Sequence, residues 1–132
     1  MRGVGVALLA ATLAGAAAAE EEKPLTPAEA RKRVGDKVTV EMTVKAAKDR
    51  LEKRGEIYLD AEEDFKDPKN FAVVITKEGA ASLKEKGIDS PADHFRGKTI
   101  RATGTVKLVQ DVPRIEIDAA PQVRVVEGKR LN

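Results

Sequence analysis

Hydrophobic and polar residues alternate with a period of two in several segments between residues 38 and 117. This period is typical of strands that bury one face. In the longest run, Ile100, Ala102 and Val106 alternate with threonine, arginine and lysine. Strands are predicted at residues 38–46, 57–61, 71–76, 99–108 and 115–117, with a short additional segment at 123–126. The alternation points these side chains into one core: Val40, Leu59, Val73, Ile100, Val106 and Ile115.

Helical signals fall before the strands and between the third and fourth of them. A short helix is predicted over residues 27–34, because Thr26 can cap it and Glu29 can close a capping box. A longer helix is predicted at 78–86, followed by a capped turn at 90–97. The order of elements is therefore a helix, three strands, a helix and two strands. We predict a mainly β fold, a five-stranded OB-fold Greek-key barrel with a short N-terminal helix and a helix between strands 3 and 4.

Several motifs resemble the tRNA-anticodon/helicase-type family of nucleic-acid-binding OB-folds, and most of all its exported bacterial members. GKTIRATGTV at 97–106, RIEI at 114–117 and PQV at 121–123 are similar to the second half of that family. VGDKVTV at 34–40 matches its opening. The segments YLD and FAVVI match its middle strands, so that the resemblance covers roughly residues 28–126. One departure is the turn at 110–113, which reads Gln-Asp-Val-Pro where the family usually carries a glycine.

The first 19 residues have the three-part layout of a secretory signal peptide. Arg2 is followed by an uncharged apolar run, and Ala17 and Ala19 are small residues before Glu20. We expect cleavage before Glu20 and a periplasmic or secreted protein without an integral membrane span. The alternative is a retained membrane anchor. The predicted organisation is a signal peptide at 1–19, a solvated leader at 20–26, the OB-fold domain at 27–127 and a tail at 128–132.

Composition argues against most kinds of catalytic chemistry. The 132 residues carry a net charge of +2, no cysteine and a single histidine, His94. Thiolate nucleophiles, cysteine zinc sites and paired imidazoles are excluded. The serines, Ser82 and Ser90, have no histidine and aspartate pattern beside them. The acidic run at 60–67 suggests calcium but lacks the glycine and closing glutamate of an EF-hand loop. We predict a protein that is not an enzyme and uses no metal or cofactor.

OB-folds bind ligands on the face of strands 2 and 3, between the first and fourth connections. Single-strand binding needs cations for phosphates and rings for bases. The candidate ligand-binding residues on that face are Lys48, Arg50, Lys53, Arg54, Tyr58, Lys107 and Arg114. Two hypotheses follow. One is a binder of single-stranded nucleic acid or another polyanion, and the other is a protein-interaction module of the cell envelope with no nucleic-acid ligand.

Overall fold

The computed structural model describes residues 23–126. The predicted signal peptide at 1–19 and the predicted tail at 128–132 lie outside that range. Within it, seven strands form one sheet: β1 (Lys37–Thr43), β2 (Ala46–Arg50), β3 (Glu56–Asp60), β4 (Ala72–Thr76), β5 (Thr99–Val109), β6 (Val112–Ile117) and β7 (Val123–Val125). The helices are α1 (Pro27–Ala30), α2 (Leu51–Arg54), α3 (Lys77–Glu85) and α4 (Pro91–Phe95), with a 3-10 turn at Ala120–Gln122.

The strands follow the order β1-β5-β6-β4-β3-β2. β7 lies off this path and pairs antiparallel with residues 100–102 of β5. Neighbours are antiparallel except β4 and β6, which are parallel. In the described range no ladder joins β1 to β2, so the sheet is not closed. The observed architecture is therefore a sheet of seven strands that is not closed, where the sequence predicted a barrel of five.

The extra strand arises because the first predicted strand, residues 38–46, divides into two. β1 pairs with β5, whereas β2 pairs with β3 at the opposite end of the path. Between them, the Val44 amide donates to Lys98 O and the Lys45 amide to Asp60 O, each at 2.9 Å. The chain changes partner there without interrupting the alternation of apolar and polar residues. The sequence pattern alone therefore could not reveal the division.

The sequence predicts that residues 48–55 are a connection between the strands at 38–46 and 57–61. This prediction is wrong in part. Lys48–Arg50 continues β2, and α2 follows as a single helical turn that ends at Gly55. Gly55 has a φ of 73°, a left-handed conformation that favours glycine. The charged side chains here belong to the solvent-facing side of an edge strand, and this composition is easily mistaken for a loop.

The core prediction is confirmed. All six residues expected to share it are at most 1% exposed. β4 is buried on both faces, which fits its continuous apolar sequence, and Phe71 and Phe95 are also buried. Burial of this apolar surface is the main force that holds such a domain together.

The predicted capping box is confirmed: Glu29 N donates to Thr26 Oγ1 at 3.1 Å, and Thr26 N to Glu29 Oε1 at 2.9 Å. Helix α1 nevertheless ends at Ala30 rather than near residue 34. Helix α3 lies where it was predicted and is capped by Thr76. In the predicted turn before α4, Ser90 Oγ donates to Asp93 Oδ2 at 3.2 Å and does not cap the backbone. Residues 23–126 contain no helix long and apolar enough to cross a membrane.

Candidate functional site

A groove of about 720 Å³ lies over the outer face of β3 and β4. It brings together five of the residues predicted from sequence: Lys48, Arg50, Arg54, Tyr58 and Arg114. The other two candidates, Lys53 and Lys107, do not line it. Lys53 is exposed on α2, and Lys107 on β5 pairs with Glu116 at 3.0 Å. The predicted face is therefore a concave surface that holds most of the candidate residues.

Strand register explains this gathering. Tyr58 on β3 lies between Lys48 on β2 and Val74 on β4. Side chains directly opposite one another in neighbouring strands share a face of the sheet. Val74 and Ala72 are buried and form an apolar floor for the groove. The charged side chains of β2 and α2 form one rim.

Two aromatic rings line the groove. Tyr58 donates its hydroxyl to Glu56 Oε1 at 2.5 Å, which fixes the orientation of the ring. Burial, and next the hydrogen bond to Glu56, raise the pKa of Tyr58. Phe65, in the loop between β3 and β4, is 47% exposed. The ammonium of Lys48 lies 4.7 Å from the Phe65 ring centroid and that of Lys66 lies 5.8 Å from it. The sequence could not decide whether Phe65 belonged to the core or to the surface.

Arg114 is bound within the sheet by carboxylates. Its Nη2 lies 2.9 Å from Glu56 Oε2 and 3.0 Å from Glu116 Oε2, and its side chain is only 12% exposed. Glu116 also accepts from Lys107, and this hydrogen bond is the main reason that the pKa of Glu116 is lowered. Two cations and two carboxylates thus balance one another, so Arg114 and Lys107 add no net charge to the groove.

The positive charge of the groove comes from four other side chains: Lys48, Arg50, Arg54 and Lys66. Within residues 23–126, none of them forms an ion pair shorter than 4 Å with a carboxylate. Arg54 lies close enough to Tyr58 to lower its pKa, against the larger effects of burial and Glu56. These cations are available to a ligand without first breaking an internal salt bridge.

One end of the groove contains a buried polar pair. Asp60 and Asn70 are each 2% exposed, and Asn70 Nδ2 donates to Asp60 Oδ1 at 3.0 Å. Asn70 Oδ1 in turn accepts from the Glu62 amide at 3.0 Å. Burial raises the pKa of Asp60. The pair ties the loop that carries Phe65 to the end of β3, a role that the sequence did not suggest.

The acidic run and the histidine give no sign of metal chemistry. In the part of the chain described, no three histidine, cysteine or acidic side chains group together closely enough to hold an ion. His94 packs its ring edge-on to Phe95, with centroids 4.8 Å apart. Burial, followed by the charge of Lys98, lowers the pKa of His94.

The turn between β5 and β6 lies at the rim of the groove. Gln110 has a φ of 53° and Asp111 a φ of 66°, both in the left-handed region. Two residues of this kind between paired strands form a type I′ turn, which prefers asparagine followed by glycine. Val112 and Pro113, predicted as part of the turn, belong to β6. The turn therefore holds the Gln110 side chain at the groove with a strained backbone.

Comparison with known proteins identifies the fold alone. No family model and no curated protein matches the sequence. The structure is similar to asparaginyl-tRNA synthetase from Pyrococcus horikoshii, with a TM-score of 0.55 and 14% identity over 79% of this chain and 23% of that one. It is also similar to aspartyl-tRNA synthetase from Entamoeba histolytica, with a TM-score of 0.52 and 16% identity over 80% of this chain and 21% of that one.

A third similar structure is the OBody AM1L10 bound to hen egg-white lysozyme. Its TM-score is 0.53 and its identity 13%, over 80% of this chain and 94% of that one. The chain thus spans less than a quarter of each synthetase but nearly the whole OBody. These likenesses identify a mainly β domain of the OB type.

Proposed function

We propose that this protein is a non-enzymatic OB-fold module that binds single-stranded nucleic acid across the outer face of β3 and β4. The observation that carries the proposal is the composition of the groove. Tyr58 and Phe65 supply two rings, and the four cations without a carboxylate partner surround an apolar floor. Single strands are bound by this combination of stacking and phosphate neutralisation.

The arrangement favours a single strand over a duplex. Paired and stacked bases hide the faces that Tyr58 and Phe65 would contact, whereas an unpaired strand can turn them outward. The side chains of Lys48 and Lys66 flank the Phe65 ring, so a base on that ring has cations nearby for its phosphates. The two synthetases similar in fold are enzymes of tRNA by name, which supports a nucleic-acid ligand for this domain type.

The second candidate is a protein-interaction module of the cell envelope that uses the same face. The structure of an OBody bound to lysozyme supports it, because an OB-type domain there binds a protein. The exposed Phe65 ring, with the ammonium groups of Lys48 and Lys66 beside it, also suits an acidic, partly apolar protein surface. The two functions differ in their response to an oligonucleotide.

The test is a fluorescence-anisotropy titration of residues 20–132 with a short mixed-sequence DNA oligonucleotide at low and at moderate salt. The wild type should bind saturably at low salt. Replacing Tyr58 or Phe65 by leucine should weaken binding by about 1–3 kcal/mol for each base stacked and leave the salt dependence unchanged. Tyr58→Phe keeps the ring and serves as the control. Absence of saturable binding at low salt would exclude this function and favour the protein-interaction module.

We further propose that the protein acts outside the cytoplasm, either in the periplasm or as a secreted protein. The proposal rests on the sequence of residues 1–19 and predicts Glu20 as the mature N-terminus. N-terminal sequencing of protein purified from its own host tests it. An intact Met1 in a soluble cytoplasmic pool would contradict it.

A further inference from the structure

The buried carboxylate of Asp60 has a chemistry that phosphate binding does not explain. A carboxylate repels phosphates, and removing it from water is costly unless it is paired with a partner. Asp60 nevertheless lines the groove and is 2% exposed. In residues 23–126 its side chain accepts a single hydrogen bond, from Asn70 to Oδ1. A carboxylate offers about four acceptor positions, so Asp60 keeps unused acceptor capacity beside the groove that it lines.

Small side chains flank Asp60 in the sheet. Its cross-strand partners are Ala46 on β2 and Ala72 on β4. Ala72 lines the groove together with Asp60. A larger side chain at either position would crowd the carboxylate.

The position of Tyr58 connects Asp60 to a stacked base. Tyr58 and Asp60 are two residues apart on β3 and share a face, which places their Cα atoms roughly 7 Å apart. A base stacked on the Tyr58 ring therefore lies within reach of Asp60. The hydrogen bond from Asn70 holds the carboxylate in place.

We propose that Asp60 is a specificity-determining residue that selects guanine, by accepting hydrogen bonds from N1–H and the N2 amine of a base stacked on Tyr58. Among the bases, guanine presents two adjacent donors on its Watson–Crick edge. Cytosine and adenine place an acceptor nitrogen next to their amine, and thymine flanks its single donor with two carbonyls, so each opposes one lone pair of the carboxylate. This inference rests on the proposed single-strand binding.

The test compares oligonucleotides that differ at one base. A thymidine-only oligonucleotide is titrated beside versions in which one central thymine is replaced by guanine, adenine, cytosine, inosine or 7-deazaguanine. The guanine version should bind about tenfold more tightly than the thymine, adenine and cytosine versions, the effect of one good bidentate base contact. Inosine lacks the N2 amine and should lose most of that advantage, whereas 7-deazaguanine retains the Watson–Crick edge and should keep it.

The variant Asp60→Asn should bind the guanine and thymine versions equally, while Asp89→Asn, an exposed aspartate away from the groove, should keep the preference. If Asp60→Asn does not fold, the inosine comparison decides the question with the wild-type protein. Equal affinity of the wild type for every version, or a preference that survives in Asp60→Asn, would overturn the guanine inference and leave the proposed function standing. No binding of any version would overturn both.

Discussion

The guanidinium of Arg114, on β6, lies 2.9 Å from the carboxylate of Glu56, on β3. β4 lies between these two strands in the sheet. Because of this ion pair, Arg114 adds no net positive charge to the groove. Sequence alternation places Arg114 on the groove face but cannot show that Glu56 and Glu116 already neutralise it. In the proposed function, the phosphates are therefore neutralised by the cations of β2, α2 and the Phe65 loop.

Arg50→Ala should reduce the salt dependence of oligonucleotide binding. Each phosphate contact on a single strand contributes about −0.7 to the slope of log affinity against log salt. Losing the Arg50 contact should make the slope shallower by about that amount. Arg33→Ala is the matched control, because Arg33 follows α1, does not line the groove and pairs with Asp36. Titrations at several salt concentrations measure both slopes, and equal slopes for the two variants would contradict a phosphate contact at Arg50.

Arg114→Ala, by contrast, should act on stability. Its loss leaves Glu56 and Glu116 without their shared donor at a part-buried position. Hydrogen bonds to charged groups of this kind contribute about 1.5–3 kcal/mol. Lys107→Ala removes a more exposed bridge to Glu116 and should cost no more than about 1 kcal/mol. Urea unfolding of the two variants compares these costs, and an equal loss would show that Arg114 is not structurally special.

Gly79→Ala should destabilise the fold strongly. A Cβ at this position of α3 would lie 2.0 Å from the carbonyl oxygen of Ile117, in the backbone of β6. The helix or the strand would have to move, at a cost of about 3 kcal/mol or somewhat less if the packing adjusts. Glu78→Ala, one residue earlier on the exposed side of the helix, should change little. Equal thermal unfolding midpoints for Gly79→Ala and Glu78→Ala would mean that α3 does not pack closely against the backbone of β6 at Gly79.

The strands and the core could be predicted from sequence because alternation is a local property. Val106 is buried and its neighbour Thr105 exposed, as the period of two requires. The division of the first strand could not be predicted, because Val44 and Lys45 change partners while the pattern continues. What decides the division is the presence of β5 at one end and β3 at the other, which is set by the whole fold.

The same reasoning accounts for what was predicted of the site and what was missed. Tyr58 follows from alternation because it lies on the groove face of a regular strand, whereas Lys48 was expected in the first connection and lies on β2. Phe65 lies in a loop whose position depends on the hydrogen bond between Asn70 and Asp60, ten residues apart. Nothing in the local sequence of this acidic loop indicates that the side chain of Phe65 lines the groove.

The stability of the protein should fall in acid partly through Glu116. Its pKa is lowered in the folded state, first by the hydrogen bond from Lys107 and then by Arg114. A carboxylate of this kind stabilises the fold above its unfolded-state pKa, and the contribution disappears as the pH falls through the lower folded-state pKa. The unfolding midpoint of the wild type should therefore drop over that interval. Glu116→Gln should be less stable at neutral pH and show a flatter acid limb, whereas parallel limbs would exclude a contribution from Glu116.

Asp111→Gly should stabilise the domain. Asp111 has a φ of 66°, and a side chain in the left-handed region costs roughly 1 kcal/mol, which glycine avoids. Glycine is also the preferred residue at the second position of a type I′ turn. Asp89→Gly is the control, because Asp89 is exposed and does not have a positive φ, so glycine there gains nothing and adds flexibility to the unfolded chain. The urea midpoint should rise for Asp111→Gly and stay level or fall for Asp89→Gly. Equal changes in the two variants would show that the turn stores no strain, because glycine adds flexibility to the unfolded chain in both. Because Gln110 lines the groove from the same turn, a stabilised variant with weakened oligonucleotide binding would show that the strain positions this side chain for its ligand.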